Sequence, residues 1–452
     1  MSPKIDAADG SQRHAPALLK ESRRFDRVVL RNTASHTNYH NTQKGGLKMK
    51  RNKLFKFHGG VFLVTVFVFF LFIGTDAVAK EKVLRIGFLS GLSGFASDSE
   101  RVHLQGGELA RDWFNEKGGV TIKGEKYLVE LVPEDHKCTA DGAVAGATKL
   151  VYDQKVKYIA GTIMPFTVAA VATVTEPAHV IRSVGYNCGT PQEFSANTPY
   201  TFLSQNGTIG AIISGMGWLK KQFPETKTVS VFIPDDGSIQ YLEPQVRKWA
   251  QKNGLEVKGD IIGWPLNTVD FTPFALRAAK INADAVAMAN GWPAMVGGVL
   301  KALREAGYQK PVIGMHFLQV QDVLEVAGKE ASDKYFIHGL TLNDPEMTDT
   351  IKWIFTKGKA KYGHERLAFW IEGFDPVYVL VQAIVKAQSL DPDDVKRTWE
   401  KMDDIDTAYG PSKMGGKETY GLRHAVVGPR PIAGLEKGVA KSFGWIRNIT
   451  VP

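Results

Sequence analysis

The residue types that catalyse reactions or bind metals are present in this chain, but their spacing matches none of the common catalytic or metal-binding motifs. There is no GxSxG turn for an activated serine, no glycine-rich phosphate loop, and no HExxH or paired CxxC for a metal ion. The segment Glu134–His136, together with Asp98, is the nearest approach to a metal cluster, and it lacks the spacing of a ligand set. The sequence therefore predicts a protein without catalytic activity, metal or cofactor.

Short apolar runs rich in β-branched residues alternate with helical stretches from Val83 onward. This alternation is typical of parallel sheets with crossover helices. The strand candidates form two series, which cover 83–90, 127–135, 156–162 and 179–185, and then 228–236, 255–264, 283–291 and 311–317. We therefore predict an α/β fold of two doubly wound, Rossmann-like lobes joined by hinge crossings.

The predicted lobes are discontinuous in sequence. About 370 residues follow Ala79, which is more than one hydrophobic core usually accommodates. The extended segments 199–203 and 335–340 are typical of crossings between lobes. We expect lobe I over 82–203 plus 341–420, lobe II over 204–338, and an irregular C-terminal tail over 421–452.

The segment 49–79 has the three-part order of a signal peptide. Basic residues at Lys50, Arg51, Lys53 and Lys56 precede an apolar run over 61–73, and small residues over 77–79 provide a cleavage site. The run is shorter than the ~20 residues of a comfortable membrane span. We predict cleavage near Ala79 and a periplasmic or otherwise extracytoplasmic protein, with residues 1–48 as a non-native or disordered extension.

The basic net charge belongs mostly to this N-terminal region. Residues 1–79 hold 13 Lys and Arg against 5 Asp and Glu, so the net charge falls from +9 for the whole chain to +1 for the rest. The charge therefore gives no support for nucleic-acid binding. An oxidising compartment permits a disulfide between Cys138 and Cys188, and two buried thiols are the alternative.

The candidate ligand-binding residues follow from the strand positions. In open α/β sheets, ligands bind outside the carboxyl ends of the strands, so the residues just after each strand are selected. The candidates at these positions are Phe95, Met164, Phe166, Thr167, Tyr186, Asn187, Asp236, Tyr241, Trp292 and His316. Phe95, Phe166, Tyr186, Trp292 and Phe317 would form an aromatic rim suited to an apolar ligand body.

Several stretches of the chain together resemble one family. They are IGFLSGLSG (86–94), GGELARDWFNEKGGV (106–120), PEDHKCTADGAVAGATKLV (133–151), TVDFTPFALRAAKINADAV (268–286), VLKALREAGYQKPVIG (299–314) and EGFDPVYVLVQAI (372–384). Over about 82–450 the sequence resembles the type I periplasmic binding proteins of the leucine/isoleucine/valine-binding group. The resemblance implies a substrate-binding protein that closes about a hinge on a small molecule and delivers it to an ABC permease.

The binding positions depart from the family pattern. Where the family often has a Cys-Ser pair this chain has Met164-Pro165, and Asn187 stands near the usual threonine. Trp292 replaces the usual tyrosine, and His316 falls at or near the glutamate that holds the ligand's ammonium group. Burial of a ligand's ammonium group costs several kcal/mol of desolvation free energy, in order of magnitude, and without a buried acid nothing offsets this cost. The ligand is then an amino acid or a related apolar or aromatic carboxylate or amide, for which Thr167, Asn187 and His316 are the available polar groups.

Two other functions remain open at this point. A ligand-sensing domain would use the same clamp, but it would need a second membrane segment or partner helix, and no such segment follows Val83. An exported enzyme would need a reactive group with a perturbed pKa in the cleft. For the binding protein we expect an ABC permease and a small molecule as partners, no nucleic acid, and a monomer.

Overall fold

The computed structural model describes residues 81–161, 163–185 and 189–452. The predicted extension over 1–48 and signal peptide over 49–79 lie outside the described residues, as do Tyr186, Asn187 and Cys188. Within the described part, the chain forms two sheets covered by helices.

The N-terminal third of the described chain builds most of the first sheet. Its strands are β1 (Lys82–Ser90), β2 (Val120–Ile122), β3 (Glu125–Asp135), β4 (Tyr158–Gly161), β5 (Ile181–Val184) and β6 (Thr201–Leu203). Helices α1 (Ser97–Asn115), α2 (Ala140–Thr148) and α3 (Pro165–Thr175) connect them, and a π-helical turn (Lys149–Asp153) follows α2. Strand β1 pairs in parallel with β3 and β4, and β4 with β5, so the carboxyl ends of these strands lie along one edge.

The middle of the chain builds most of the second sheet. Its strands are β7 (Thr228–Asp235), β8 (Glu256–Val257), β9 (Ile262–Pro265), β10 (Ala285–Met288), β11 (Val312–Phe317) and β12 (Tyr335–His338). Its helices are α4 (Gly207–Gln222), α5 (Ile239–Lys252), α6 (Thr272–Ile281), α7 (Pro293–Glu305) and α8 (Val320–Ala331). Strands β7, β10, β11 and β12 are parallel neighbours with apolar, fully buried interiors, as expected of a sheet that is covered on both faces.

The C-terminal part contributes to both sheets. It contains helices α9 (Asp349–Tyr362), α10 (Leu367–Ala387), α11 (Pro392–Trp399) and α12 (Lys417–Tyr420), and strands β13 (Ile405–Thr407), β14 (Gly410–Gly415), β15 (Ala425–Val427), β16 (Arg430–Glu436) and β17 (Val439–Ile446). The first sheet has the strand order β13-β14-β15-β6-β5-β4-β1-β3-β2, and we call this sheet and its helices lobe I. The second sheet has the order β17-β16-β12-β11-β10-β7-β8, and β9 also pairs with β7. We call this second sheet and its helices lobe II. The predicted α/β fold of two doubly wound sheets is confirmed.

The expected irregular tail over 421–452 is wrong. Strand β15 joins lobe I beside β6, and β16 pairs antiparallel with β12 and β17 in lobe II. The Gly and Pro residues of the tail suggested irregular structure, but the exposed hydrogen-bonding edge of β12 accepts β16, and Ile432, Ala433 and Leu435 become fully buried. The single strand predicted over 255–264 is replaced in the structure by two short strands, β8 and β9, because the chain bends between them at Gly259, where φ is +78°.

Helix α10 is the one described helix that is long and apolar enough to cross a membrane, and 89% of its apolar window is buried inside the protein. It packs against α1 at a very short distance. A Cβ atom on Gly373 would lie 1.8 Å from the backbone oxygen of His103, and one on Gly106 would lie 2.1 Å from that of Trp370. Glycine at these two positions therefore sets the spacing of the two helices.

Hydrogen bonds join the segments that run between the lobes. The Asn206 amide donates to the carbonyl of Gly428 at 3.0 Å and accepts from the same residue's N–H at 2.9 Å. Next to it, the Gln205 amide donates to Asp375 at 2.7 Å, and Asp375 also accepts from the N–H of Ala408. The segment after β6 is thus tied to the segment between β15 and β16, where the chain changes sheets again.

Candidate ligand-binding site

Two carboxylates hold the loop that follows β1. Glu100 accepts from the hydroxyl of Ser90 at 2.9 Å and from the N–H of Gly91 at 3.2 Å. Asp135, at the end of β3, accepts from the hydroxyl of Ser93 at 2.6 Å and from its N–H at 3.2 Å. The loop that carries Phe95 is therefore fixed at both sides by side chains from neighbouring elements.

A buried charge cluster lies beneath this loop. His103 lies between two carboxylates, with Nε2 2.8 Å from Glu372 of α10 and Nδ1 3.8 Å from Glu100. His136 Nε2 lies 3.7 Å from Glu100. Burial alone would lower the pKa of His103, but the two carboxylates outweigh it and raise that pKa to about 9. His103 is therefore a buried cation at neutral pH.

The loop before α3 places its predicted residues in different surroundings. Met164 is fully buried in a small cluster with Ala96 and Cys138, and Phe166 packs on this cluster while partly exposed. Thr167 is buried, and its hydroxyl donates to the carbonyl of Met164 at 2.7 Å. Met164 and Thr167 thus stabilise the start of α3, and Phe166 is the residue of the three with a partly exposed side chain.

Cys138 is a free, buried thiol whose sulfur lies 3.3 Å from the carbonyl oxygen of Ser93. The disulfide that the sequence permitted is therefore not formed at Cys138 in this structure, and its proposed partner Cys188 lies outside the described residues. Tyr186 and Asn187 of the same loop also lie outside them. Burial raises the pKa of the Cys138 thiol to about 11, which makes it unreactive at neutral pH.

The loop after β7 folds around Asp236. Its carboxylate accepts from the N–H of Ser238 at 3.0 Å and from the amide of Asn290 at 2.9 Å, and the hydroxyl of Ser238 also donates to it. Burial raises the pKa of Asp236, against these hydrogen bonds. Asp236 therefore links the β7 and β10 loops, whereas Tyr241 lies half-buried in the first turn of α5.

His316 and Phe317 end strand β11. The His316 ring is fully buried, its Nδ1 lies 3.2 Å from the carbonyl oxygen of Met288, and burial lowers its pKa to about 4. The Phe317 ring is buried edge-to-face against Tyr409 at 5.5 Å, so it belongs to the packing beneath the cleft and not to the expected aromatic rim.

Two of the predicted aromatic residues meet between the lobes. The rings of Phe95, from lobe I, and Trp292, from lobe II, pack edge-to-face with centroids 6.0 Å apart. They border a cavity of about 1200 Å³ whose walls come from both lobes, including Leu266, Met295 and Arg366. Phe95 is 60% exposed, so this pair lies at the rim of the cavity.

Sequence reasoning missed several polar residues around these loops. Gln319, just after β11, lines the cavity beside Trp292, and the strand-end rule had included its position without selecting it. Glu193 is fully buried and accepts from the N–H groups of Gly189 and Thr190 at 2.5 and 2.7 Å. Burial, aided by the charge of Asp236, raises the pKa of Glu193 to about 7. No motif marks Glu193, because its partners are backbone groups.

Among the described residues, no group of three or more His, Cys, Asp or Glu side chains is arranged to hold a metal ion. The polar groups of the cavity include the amide of Gln319 and charged side chains such as Asp322 and Arg366, and they lie in the same lining as the rings of Phe95 and Trp292. In chemical terms, the arrangement can enclose a small molecule with an apolar body and a few polar atoms.

Comparisons with known proteins identify solved structures of the same fold. The leucine-binding protein of Thermotoga maritima is 18% identical, with a TM-score of 0.67, and the match covers 81% of this chain and 99% of that one. A branched-chain amino acid binding protein of Streptococcus pneumoniae, solved with isoleucine, is 20% identical (TM-score 0.64; 81% and 100% covered). A solute-binding protein of an ABC transporter from R. palustris, solved with benzoate, is 17% identical (TM-score 0.66; 82% and 98% covered).

These solved structures share the fold of this chain, and the family model supplies its classification. The model described as periplasmic binding protein matches residues 83–429, which is most of the chain. The predicted resemblance to type I periplasmic binding proteins is thereby confirmed, and with it the expected class of function, substrate binding outside the cytoplasm. On its sequence and its fold, the chain belongs to the periplasmic binding protein family.

Proposed function

We propose that this protein is the substrate-binding component of an ABC importer and captures an apolar or aromatic carboxylate or amide between its two lobes. The observation that carries the proposal is the contact between Phe95 and Trp292, one aromatic ring from each lobe, at the rim of a cavity walled by both. A ligand bound there touches lobe I and lobe II together, so its binding favours the closed arrangement of the lobes.

The ligands of two relatives support this class of molecule. The S. pneumoniae protein was solved with isoleucine and the R. palustris protein with benzoate. Both ligands join a carboxylate to an apolar body. The aromatic pair of this chain offers the second part, because flat rings bury large apolar areas at low conformational cost.

Capture without chemical conversion is part of the proposal. The described titratable groups with strongly shifted pKa values are paired or buried in the scaffold, as His103 is between Glu100 and Glu372. Incubation of the protein with any ligand that binds should therefore return that ligand unchanged by mass spectrometry. A new product would contradict this part of the proposal.

A thermal-shift screen of the exported protein tests the ligand class. Benzoates, apolar aliphatic acids, their amides and the branched-chain amino acids form the panel, since a ligand that binds the native state raises the melting temperature. We expect Trp292→Ala to weaken binding of the best ligand by about tenfold or more, and Trp292→Phe to keep most of the affinity. Undiminished affinity in Trp292→Ala would contradict the proposed site.

The intact mass of the exported protein tests export and processing at the same time. Cleavage after Ala79 predicts a chain that begins at Lys80. A protein that retains the segment 61–73 after export would contradict the predicted signal peptide.

A further inference from the structure

The start of helix α8 carries three buried acceptor atoms that have no hydrogen-bond partner among the described residues. They are Oε1 of Gln319, Oε1 of Gln321 and Oδ2 of Asp322. All three residues line the cavity between the lobes. Buried polar atoms are almost always hydrogen-bonded, so a cluster of free acceptors at a cavity indicates a ligand group that is rich in donors.

Gln319 is the most deeply buried of the three residues, with 5% of its surface exposed. Its Nε2 donates to Oδ1 of Asp322 at 3.3 Å. Because a carboxylate oxygen only accepts, this hydrogen bond fixes the orientation of the amide and makes Oε1 the atom that is left free. Gln319 and Asp322 are therefore joined into one group, which offers an amide oxygen and a carboxylate oxygen to the cavity.

The free carboxylate oxygen of Asp322 lies near one cation of the protein without a hydrogen bond to it. Oδ2 is 3.6 Å from the guanidinium of Arg366, which is beyond hydrogen-bond distance. Arg366 has other contacts, because it donates to the carbonyl of Asp98 at 3.4 Å and lies over the Phe369 ring at 4.6 Å. Burial raises the pKa of Asp322 against the charge of Arg366, so a second cation at Oδ2 would stabilise the ionised carboxylate.

The lining of the cavity carries more acids than bases. Four acids face two bases, and these residues are Asp98, Asp322, Glu325, Glu365, Lys301 and Arg366. A cleft with an excess of one sign of charge attracts ligands of the opposite sign. The rings of Phe95 and Trp292 belong to the same lining, and aromatic faces also attract cations.

This group of acceptors lies away from the position that the family resemblance gives to an ammonium-binding acid. That position falls at or near His316, which is not part of the cavity lining and whose pKa is lowered by burial to about 4. Asp322 lies on the following element, in the first turn of α8, where the helix dipole favours a negative charge. The acid that strand β11 lacks is therefore present at the start of the next helix.

We infer that the start of helix α8 is a subsite for a positively charged N–H group of the ligand, an ammonium or an amidinium, which binds Asp322 Oδ2 and the amide oxygens of Gln319 and Gln321. This inference rests on the proposed function, because it assumes that the ligand lies between the lobes. It narrows the proposed ligands to those that carry such a group beside their apolar body and carboxylate. Nε1 of Trp292, a buried donor without a partner among the described residues, suits an acceptor of the same ligand.

A matched set of benzoates, substituted at ring position 3 or 4, tests this inference without any change to the protein. The aminomethyl and amidino compounds carry an N–H cation, the methyl compound carries no charge, and the trimethylammoniomethyl compound carries a charge without an N–H. Calorimetric titration should show an N–H cation binding about tenfold or more tighter than the methyl compound, and tighter than the trimethylammonium compound.

Two results of this titration would overturn the inference. One is equal or tighter binding of the methyl compound, which would show that the cavity does not recognise a positive charge. The other is tightest binding of the trimethylammonium compound, which would assign the charge recognition to the aromatic rings alone. Failure of every compound to bind, the methyl compound included, would overturn the proposed ligand class and the inference with it.

Substitution of Asp322 assigns the preference to this subsite. Asp322→Asn keeps the shape of the side chain and removes its charge, so affinity for the preferred N–H cation should fall about tenfold or more, while affinity for the methyl compound stays within about threefold. Glu330→Gln is the matched control, because Glu330 is an exposed acid of the same helix and lies outside the cavity lining. The control should keep the full preference. An unchanged preference in Asp322→Asn, shown to be folded by its melting temperature, would overturn the inference.

Discussion

Lobe I and lobe II each bury a histidine near the carboxyl ends of their strands, and at neutral pH the first is charged whereas the second is neutral. In lobe I, His103 lies between Glu100 and Glu372, and its pKa rises to about 9. In lobe II, His316 contacts a carbonyl oxygen, and its pKa falls to about 4. Glu100, His103 and Glu372 are almost as deeply buried as His316. The neighbouring groups therefore decide the charge, and burial alone does not.

The two buried histidines differ in what they contribute to the site. The charged cluster of lobe I holds the loop that carries Phe95, since Glu100 accepts from Ser90 and Gly91 while it faces His103. The neutral histidine of lobe II leaves an acceptor beneath the Trp292 loop. The buried charge in lobe I therefore supports the scaffold of the site, whereas the buried histidine of lobe II stays neutral.

The same substitution in the two lobes should give the largest contrast. His103→Leu leaves two buried carboxylates without their cation and should lower the free energy of unfolding by about 3–5 kcal/mol. His316→Leu leaves only the Met288 carbonyl without a donor and should cost about 1–3 kcal/mol. Urea denaturation at pH 7.5 measures both. Equal losses would contradict the assigned charges.

The pH dependence of stability should separate the two histidines next. The folded-state pKa of His316 is below its usual 6.5, so the folded protein binds fewer protons than the unfolded chain between about pH 4 and 6.5. Stability is lost as the pH falls through this window, by up to about 3 kcal/mol for this group. His103 has a raised pKa, so its contribution is complete below pH 6.5 and is lost as the pH rises through 9.

Single variants isolate these terms from the other titrating groups. The stability of His316→Leu relative to the native protein should increase as the pH falls from 6.5 to 4. The deficit of His103→Leu should shrink as the pH rises from 6.5 to 9. A constant difference across either range, measured by urea denaturation at each pH, would show that the histidine in question does not titrate as described.

A smaller effect is expected where the two lobes are tied together. Asn206→Ala removes both hydrogen bonds to Gly428 and should cost about 2 kcal/mol. Asn197→Ala, at an exposed asparagine in lobe I, is the matched control and should cost less than about 0.5 kcal/mol. Similar urea midpoints for the two variants would mean that the hydrogen bonds between Asn206 and Gly428 contribute nothing to stability.

The sequence predicts the fold better than it predicts the site, and the residues show why. The alternation of strands and helices is a local pattern, and it places β1, β7 and β11 close to their observed positions. The Gly and Pro residues of the tail led us to predict irregular structure where β16 forms, because β16 depends on pairing with β12, which is far away in the sequence. Of the residues that the strand-end rule selected, Trp292 immediately precedes α7 and His316 is the next-to-last residue of β11.

The charge states of the buried histidines could not be predicted from local sequence patterns. His103 is charged because Glu372, on another helix, lies 2.8 Å away, and the two residues are 269 positions apart. Phe317 was expected at the rim, but contact with Tyr409 places it beneath the cleft. Such contacts between distant residues form only when the chain folds. The sequence therefore identifies candidate residues, but it does not predict their contacts or their charge.

The most direct test of the central claim, a charged histidine in lobe I and a neutral acceptor in lobe II, is the nitrogen NMR spectrum of the histidine rings at pH 7.5. Long-range proton–nitrogen correlations identify the protonated nitrogens of each ring, and His103→Leu and His316→Leu assign the two signals. We predict that His103 is protonated on both nitrogens, and that His316 is protonated on Nδ1 alone. A doubly protonated His316, or a neutral His103, would contradict the account.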